Sequence, residues 1–235
     1  MVALIHPQLP LGFEPGELFT FDSFVADNNS VAVGLAQQAA LAKGEKQLYF
    51  WGEPGRGKSH LLQASCNLAA KNQRTVCYLT KAEIAGQPAD IFDGLEQIEL
   101  VCLDDIDVWL IDPEWETALF DLINRVREKN GCLMLASAHS PDENFVKLPD
   151  LRSRLSWGPV FHLQELSDKA KYQALSYRAR QSGLELPENV ADYLMQRYPR
   201  DMFGLFERLA VLDKASMAMQ RRLTIPLIKS VFAEE

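Results

Sequence analysis

The chain has 235 residues, 47% of them hydrophobic and 24% charged, the make-up of a globular protein, which excludes a disordered or fibrous one. Its 24 Lys and Arg against 32 Asp and Glu leave a formal charge of −8, which argues against coating nucleic acid by charge alone. No stretch reaches the roughly 18 unbroken apolar residues of a membrane helix, so no membrane partner is expected.

The opening residues, Met1–Pro10, have neither the basic start nor the apolar run of a signal peptide. Cys66, Cys77, Cys102 and Cys132 sit singly in apolar runs, the usage of buried, reduced thiols in a cytoplasm. His6, His60, His139 and His162 lack metal-ligand spacing, so Cys/His metal chemistry is not expected.

In chain order, residues 1–27 are rich in Pro, Gly and Phe and read as an extended lead-in. Asn28-Asn29-Ser30 supply cap residues for a helix over Val31–Lys43, closed by Gly44. Apolar runs at Gln47–Trp51, Thr75–Thr80, Leu100–Asp104, Cys132–Ala138 and Val160–Leu163 read as strands. The segments between them are long enough to cross back over a sheet. In Asp112–Lys129, the residues Trp115, Leu119, Leu122, Ile123 and Val126 share one helical face. Strands without polar alternation suit burial on both faces, and strand–helix–strand repetition implies an α/β fold with a mostly parallel sheet. Beyond Leu166, Asp168–Ser182, Glu188–Tyr198, Asp201–Arg221 and Pro226–Phe232 read as helices, with breaks at Gly183 and Pro199. Three parts are expected: an extended tail over 1–17, an α/β nucleotide-binding domain over 18–165 and a small all-helical lid over 166–235.

The sharpest motif is Gly52-Glu53-Pro54-Gly55-Arg56-Gly57-Lys58-Ser59, a full G-x-x-x-x-G-K-[ST] between the apolar run ending at Trp51 and the helical stretch Lys58–Asn72. Glycines let successive N–H groups curl toward phosphate oxygens, and the helix that follows adds its positive end. Gly52, Pro54, Gly55, Arg56 and Gly57 are expected to wrap the phosphates. Lys58 reaches the β and γ phosphates and Ser59 ligates Mg²⁺; His60, the next residue, is counted with the loop but given no chemical role. Leu100–Leu103 end in Asp104, expected to hold Mg²⁺ through water, and Asp105, expected to orient an attacking water. The bland alternatives are a glycine turn that binds nothing and carboxylates that merely open a loop. The full pattern set between strand and helix argues against the first, and the presence of the phosphate loop argues against the second.

Phosphate loop, acidic strand, Leu151-Arg152-Ser153-Arg154-Leu155-Ser156-Trp157-Gly158 and helical segment follow in that order. With the lead-in Thr20–Val25, they resemble the AAA+ ATPases of the DnaA initiator branch over roughly residues 18–235. The resemblance implies an AAA+ sheet with a lid, ADP or ATP with Mg²⁺ as cofactor, and Phe21, Phe24 and Val25 bordering the adenine. It makes Arg154 an arginine finger acting in trans on ATP bound to DnaA, with Arg152 a solvated or salt-bridged neighbour. DnaA itself continues into a helix-turn-helix domain, which is not expected here, so the layout is that of a stand-alone regulatory member.

Two positions depart from the branch. The sensor arginine of the lid is replaced by Phe203, with Arg200 one turn earlier as the substitute on offer. The acidic sensor that ends the fourth strand is replaced by Ala138, with Ser137 a poor stand-in. The combination implies nucleotide binding with little discrimination of ATP from ADP, and weak or absent hydrolysis by this chain.

One short feature precedes the folded body. Gln8-Leu9-Pro10-Leu11-Gly12-Phe13 is similar to the Q-L-x-L-x-F peptide that docks on the bacterial sliding clamp, the polymerase beta subunit. Leu9, Leu11 and Phe13 would be its apolar anchors, and Gln8 would bond the rim of the pocket. The expected function is a nucleotide-bound inhibitor of replication initiation, partnered by DnaA and the clamp. Self-association is allowed, direct DNA binding is expected weak or absent, and the location is the bacterial cytoplasm, held near the nucleoid through the clamp. The alternative is a self-sufficient AAA+ ATPase of the helicase-loader or transposition-helper type, which has no reason to carry such a tail. A nucleoside or nucleotide kinase would want an Arg-rich closing lid, and Phe203 fits that poorly.

Overall fold

A computed structural model describes residues 19–233, so Gln8, Leu9, Leu11 and Phe13 lie outside the described residues. Five parallel strands form one sheet in the order β2-β3-β4-β1-β5. They are β1 (Gln47–Trp51), β2 (Val76–Leu79), β3 (Leu100–Leu103), β4 (Cys132–Ser137) and β5 (Val160–His162). In register, Gln47 to Trp51 face Leu133 to Ser137 on one side, and Tyr49 to Trp51 face Val160 to His162 on the other.

Side chains alternate across the pleat. Leu48 and Phe50 pack with Cys102, Met134 and the helices α1 (Ser30–Ala40) and α2 (Lys58–Lys71) on one face. Tyr49, Leu103 and Leu135 pack on the other against α5 (Pro113–Glu128) and α6 (Pro149–Leu155). Every residue of β3 and β4 is buried, whereas edge strand β5 leaves Val160 and His162 exposed. The unbroken apolar runs of the interior strands follow from that double coverage. All four cysteines are free and buried, and burial pushes the Cys77 thiol up to about 12.

Three one- or two-turn helices were not legible as periodic runs: α3 (Lys81–Ile84), α4 (Ile106–Trp109) and α6. Each is too short for a hydrophobic face to repeat. The first is instead marked by a capping box between Thr80 and Glu83. Helix α1 stops at Ala40, short of the expected Lys43: Ala42 already takes a left-handed backbone at φ +60°, two residues before Gly44, which is left-handed as well at φ +73°. Asp112 caps α5 through the N–H of Glu114, with Pro113 in the first turn.

The lid is α7 (Asp168–Gln181), α8 (Glu188–Arg197), α9 (Met202–Met219) and α10 (Ile225–Val231). Ser167, Asp201 and Thr224 cap three of these helices. Leu175, Leu194, Leu205, Leu212 and Ile228 form its own core. Val25 of the lead-in packs on that core, while Phe21 and Phe24 pack beside α2 on the sheet. The lead-in therefore touches both hydrophobic bodies.

Candidate functional site

The segment after β1 is a loop in which Gly52, Gly55 and Gly57 all have positive φ, a conformation costly for any residue with a Cβ. At Gly57 a Cβ would also meet the Phe24 ring at 3.0 Å. Gly57 precedes α2 without a side-chain cap, so the first N–H groups of a 14-residue helix point out toward the loop. Lys58 is buried, and its Nζ donates to the carbonyls of Gly52 at 2.6 Å and Glu53 at 3.1 Å. Burial lowers its pKa, opposed by the charges of Asp105, Asp104 and Asp107. A cation bonded to its own loop's carbonyls, beneath N–H groups facing outward, is a fitting cradle for phosphate oxygens.

The end of β3 faces this loop. Asp104 is buried; its Oδ2 accepts from the Tyr78 hydroxyl at 2.7 Å and its Oδ1 from the N–H of Asp105 at 3.0 Å. Each oxygen keeps a lone pair for a further donor or cation. Asp105 adopts φ +51°, and burial, with the charges of Asp104 and Asp107, raises its pKa. Asp107, not singled out in the sequence, aims its Oδ1 at the end of β4, at the Ser137 hydroxyl and the N–H of Ala138. Its only signal was a third Asp within the run Asp104–Asp107.

His60 and Arg56 serve their neighbours. The imidazole Nε2 of His60 lies 3.0 Å from the Thr20 carbonyl and 3.1 Å from the Ser23 hydroxyl, with Phe19 and Phe24 edge-on to the ring. The His60 side chain holds the lead-in. Burial brings the ring's pKa down to about 4, so it is neutral at pH 7. Arg56 pairs with Glu53 at 2.5 Å and with Glu165 at 2.8 Å. Glu165 also bonds the buried Lys171 of α7, and its pKa falls to about 2, first through Lys171 and then through Arg56. Loop and lid are thus bridged by one carboxylate.

The lid closes over the same loop. A Cβ on Gly55 would come 3.3 Å from the N–H of Met202, the first residue of α9. Between them lies a cleft of about 320 Å³ lined by Pro54, Arg56, Lys171, Arg200 and Asp201. Phe203 is 65% exposed. Arg200 donates from Nε to the Met195 carbonyl and from Nη1 toward Asp168.

Arg154 is elsewhere. Gln47, the first residue of β1, donates from Nε2 to the carbonyls of Arg154 at 2.7 Å and Leu155 at 3.2 Å. The end of α6 therefore sits at the amino end of β1, and the phosphate loop leaves its carboxyl end, roughly 13 Å away at about 3.3 Å per residue. The Arg154 side chain leads to α5, where Nε donates to Asn124 Oδ1 at 3.1 Å and the guanidinium lies 3.7 Å over the Trp157 ring. Gly158 permits this chain path: a Cβ there would fall 2.0 Å from the Gln47 carbonyl oxygen. Arg152 is half-buried and, among the described residues, in no ion pair; it donates from Nη2 to the Val146 carbonyl at 2.7 Å. Asn124, Trp157 and Glu165 were not assigned roles from sequence, because their partners lie on other elements.

The chain is similar to known proteins along its whole described length. The model of the bacterial DnaA ATPase domain matches residues 16–162, and that of the Hda lid domain matches 168–232. An uncharacterized protein of Haemophilus influenzae is 40% identical over 228 residues, covering 97% of this chain and 99% of that one. Domain III of the Thermotoga maritima replication initiation protein DnaA superposes with a TM-score of 0.82 at 19% identity, over 94% of this chain and 98% of that domain. AMPPCP-bound DnaA from Aquifex aeolicus gives 0.70 at 23% identity, over 88% of this chain and 69% of that one. The RuvB Holliday junction branch migration motor of Thermotoga maritima gives 0.70 at 16%, over 92% and 71%. A phosphate loop on a 2-3-4-1-5 parallel sheet, an adjoining helical lid and both family models make this chain a member of the DnaA family of AAA+ proteins, with a lid of the Hda kind.

Proposed function

We propose that this DnaA-family protein binds ADP or ATP with Mg²⁺, docks on the sliding clamp through residues 8–13, and presents Arg154 to ATP held by DnaA. Hydrolysis of that ATP inactivates DnaA and prevents re-initiation. The observation that carries this reading is the placement of Arg154 at the sheet end away from the chain's own phosphate loop. From there it serves a nucleotide on another subunit.

Bound nucleotide supplies the fold with a charged core that ties loop to lid; its chemistry in this chain is binding. Lys58 and the N–H groups of the loop hold the phosphates, Ser59 and Asp104 hold Mg²⁺, and Phe21, Phe24 and Val25 border the base. In trans, a guanidinium aimed at the γ-phosphate stabilises charge that develops in phosphoryl transfer, an effect of about 10³–10⁵ in rate. Arg154→Lys is a poor replacement, since a point ammonium lacks the planar fork that spans two oxygens.

The deciding experiment follows radiolabelled ATP on DnaA in the presence of clamp loaded on DNA. Wild type should accelerate its loss, and Arg154→Ala and Arg154→Lys should not, while all three still bind nucleotide and clamp. The Leu11→Ala/Phe13→Ala double variant should lose clamp affinity and keep nucleotide affinity. Full stimulation by Arg154→Ala would reject the finger; retained clamp binding by the double variant would reject the tail.

A further inference from the structure

Two guanidinium groups lie over one indole. Arg154 is 3.7 Å and Arg127, on α5, is 4.1 Å from the centroid of the Trp157 ring. Both distances are contact distances for a guanidinium on an aromatic ring, so Trp157 touches both arginines. The ring is 37% exposed, which puts the stack at the surface, where it can meet a partner.

The partners of Arg154 are all neutral. Its Nε bonds the amide oxygen of Asn124, and its flat face rests on Trp157, with Phe120 at 5.4 Å. Among the described residues, no carboxylate lies within ion-pair distance of Arg154 or Arg127. An ion pair would fix the side chain but occupy its Nη donors and offset its charge. An aromatic face fixes the plane and leaves both available. A finger held in this way meets the phosphate already oriented, so little rotamer freedom is lost on contact.

From this geometry we infer that Trp157 is the positioning residue of the finger, holding the Arg154 guanidinium on its ring with no carboxylate beside it, and that Arg127 packs on the same ring and steadies it. The inference rests on the trans-acting role of Arg154 proposed above. Trp157 itself touches no reacting group.

The first test needs no partner protein. Proton spectra of the wild type should show the Arg154 and Arg127 side-chain methylenes shifted upfield by the indole ring current, and the shift should vanish in Trp157→Leu. Ordinary shifts in the wild type would overturn the stack, whatever the variant does. The second test measures stimulated hydrolysis of DnaA-bound ATP. Trp157→Leu should lower the maximal rate about tenfold or more, with the concentration of protein giving half-maximal stimulation changed far less. Trp157→Phe, which keeps an aromatic face, should recover most of that rate. Full stimulation by Trp157→Leu alongside an inactive Arg154→Ala would overturn the positioning role alone. Trp157→Phe no better than Trp157→Leu would do the same, since the aromatic face would then not matter. Full stimulation by Arg154→Ala would instead remove the finger on which the inference rests.

Discussion

Asp107 reaches from α4 to the end of β4, where its Oδ1 accepts from the N–H of Ala138 at 2.8 Å and from the Ser137 hydroxyl at 3.0 Å. The strand end has no acidic side chain of its own, and Asp107 brings a carboxylate there from a neighbouring element. Ser137 is fully buried, so removing its acceptor leaves a desolvated hydroxyl. Asp107→Ala should therefore cost about 1–3 kcal/mol. Asp107→Asn, which keeps an acceptor oxygen, should cost less. Urea unfolding of the three proteins checks the order, and equal midpoints would show that the contact stabilises nothing.

Lys58 should decide nucleotide binding. Its Nζ now bonds two carbonyls of its own loop, and phosphate oxygens offer a charged alternative. Lys58→Ala should bind ADP far more weakly in calorimetric titration. Ligand binding at a hundredfold over Kd stabilises a fold by about 2.7 kcal/mol. ADP should raise the melting temperature of wild type and leave that of Lys58→Ala where it was.

Gly158→Ala tests the link between β1 and Arg154. The new Cβ would stand 2.0 Å from a backbone oxygen, so main chain has to move, at a cost of about 1–3 kcal/mol or more. The melting temperature should drop, and stimulated hydrolysis with it, because Gln47 holds the Arg154 carbonyl beside the clash. Nucleotide affinity should persist, since the phosphate loop leaves the other end of the strand. Wild-type stimulation by the variant would show that the position of Arg154 on α6 does not matter for it.

His60 makes stability fall on the acid side. Its folded pKa is about 4, chiefly because burial disfavours the imidazolium, with the Thr20 carbonyl opposing; unfolded, the ring titrates near 6.5. Between those values the unfolded chain binds the extra proton. The contribution is complete above about 6.5 and is lost as pH falls toward 4, by at most about 3 kcal/mol. His60→Gln should show a shallower loss of urea stability between pH 7.5 and pH 5. Identical slopes would mean that the ring is solvated in the folded protein.

Much of this protein could be read along the chain. The phosphate loop is contiguous, and its spacing names Gly52 to Ser59 because backbone curvature and helix start are local properties. The interior strands announced themselves by unbroken apolar runs, and α5 by a face that repeats over its length. One-turn helices gave no such signal. The end of α1 comes three residues before the expected Lys43, since Ala42 turns left-handed ahead of the left-handed Gly44, and an alanine gives no sign of that in the sequence.

The sequence by itself determined what each segment can do: which turn curls around phosphate, which strand ends in carboxylates, which helices have one apolar face. Tertiary structure alone decided what those groups meet. It turned the His60 ring to the lead-in, tied Arg56 and Lys171 through Glu165, brought Asp107 to Ala138 and stacked Arg127, Trp157 and Arg154. It also set Arg154 and Lys58 at opposite ends of the sheet. The reason is physical: local conformation follows from neighbours a few residues away, whereas these contacts join elements whose approach is set by the packing of both faces of the sheet.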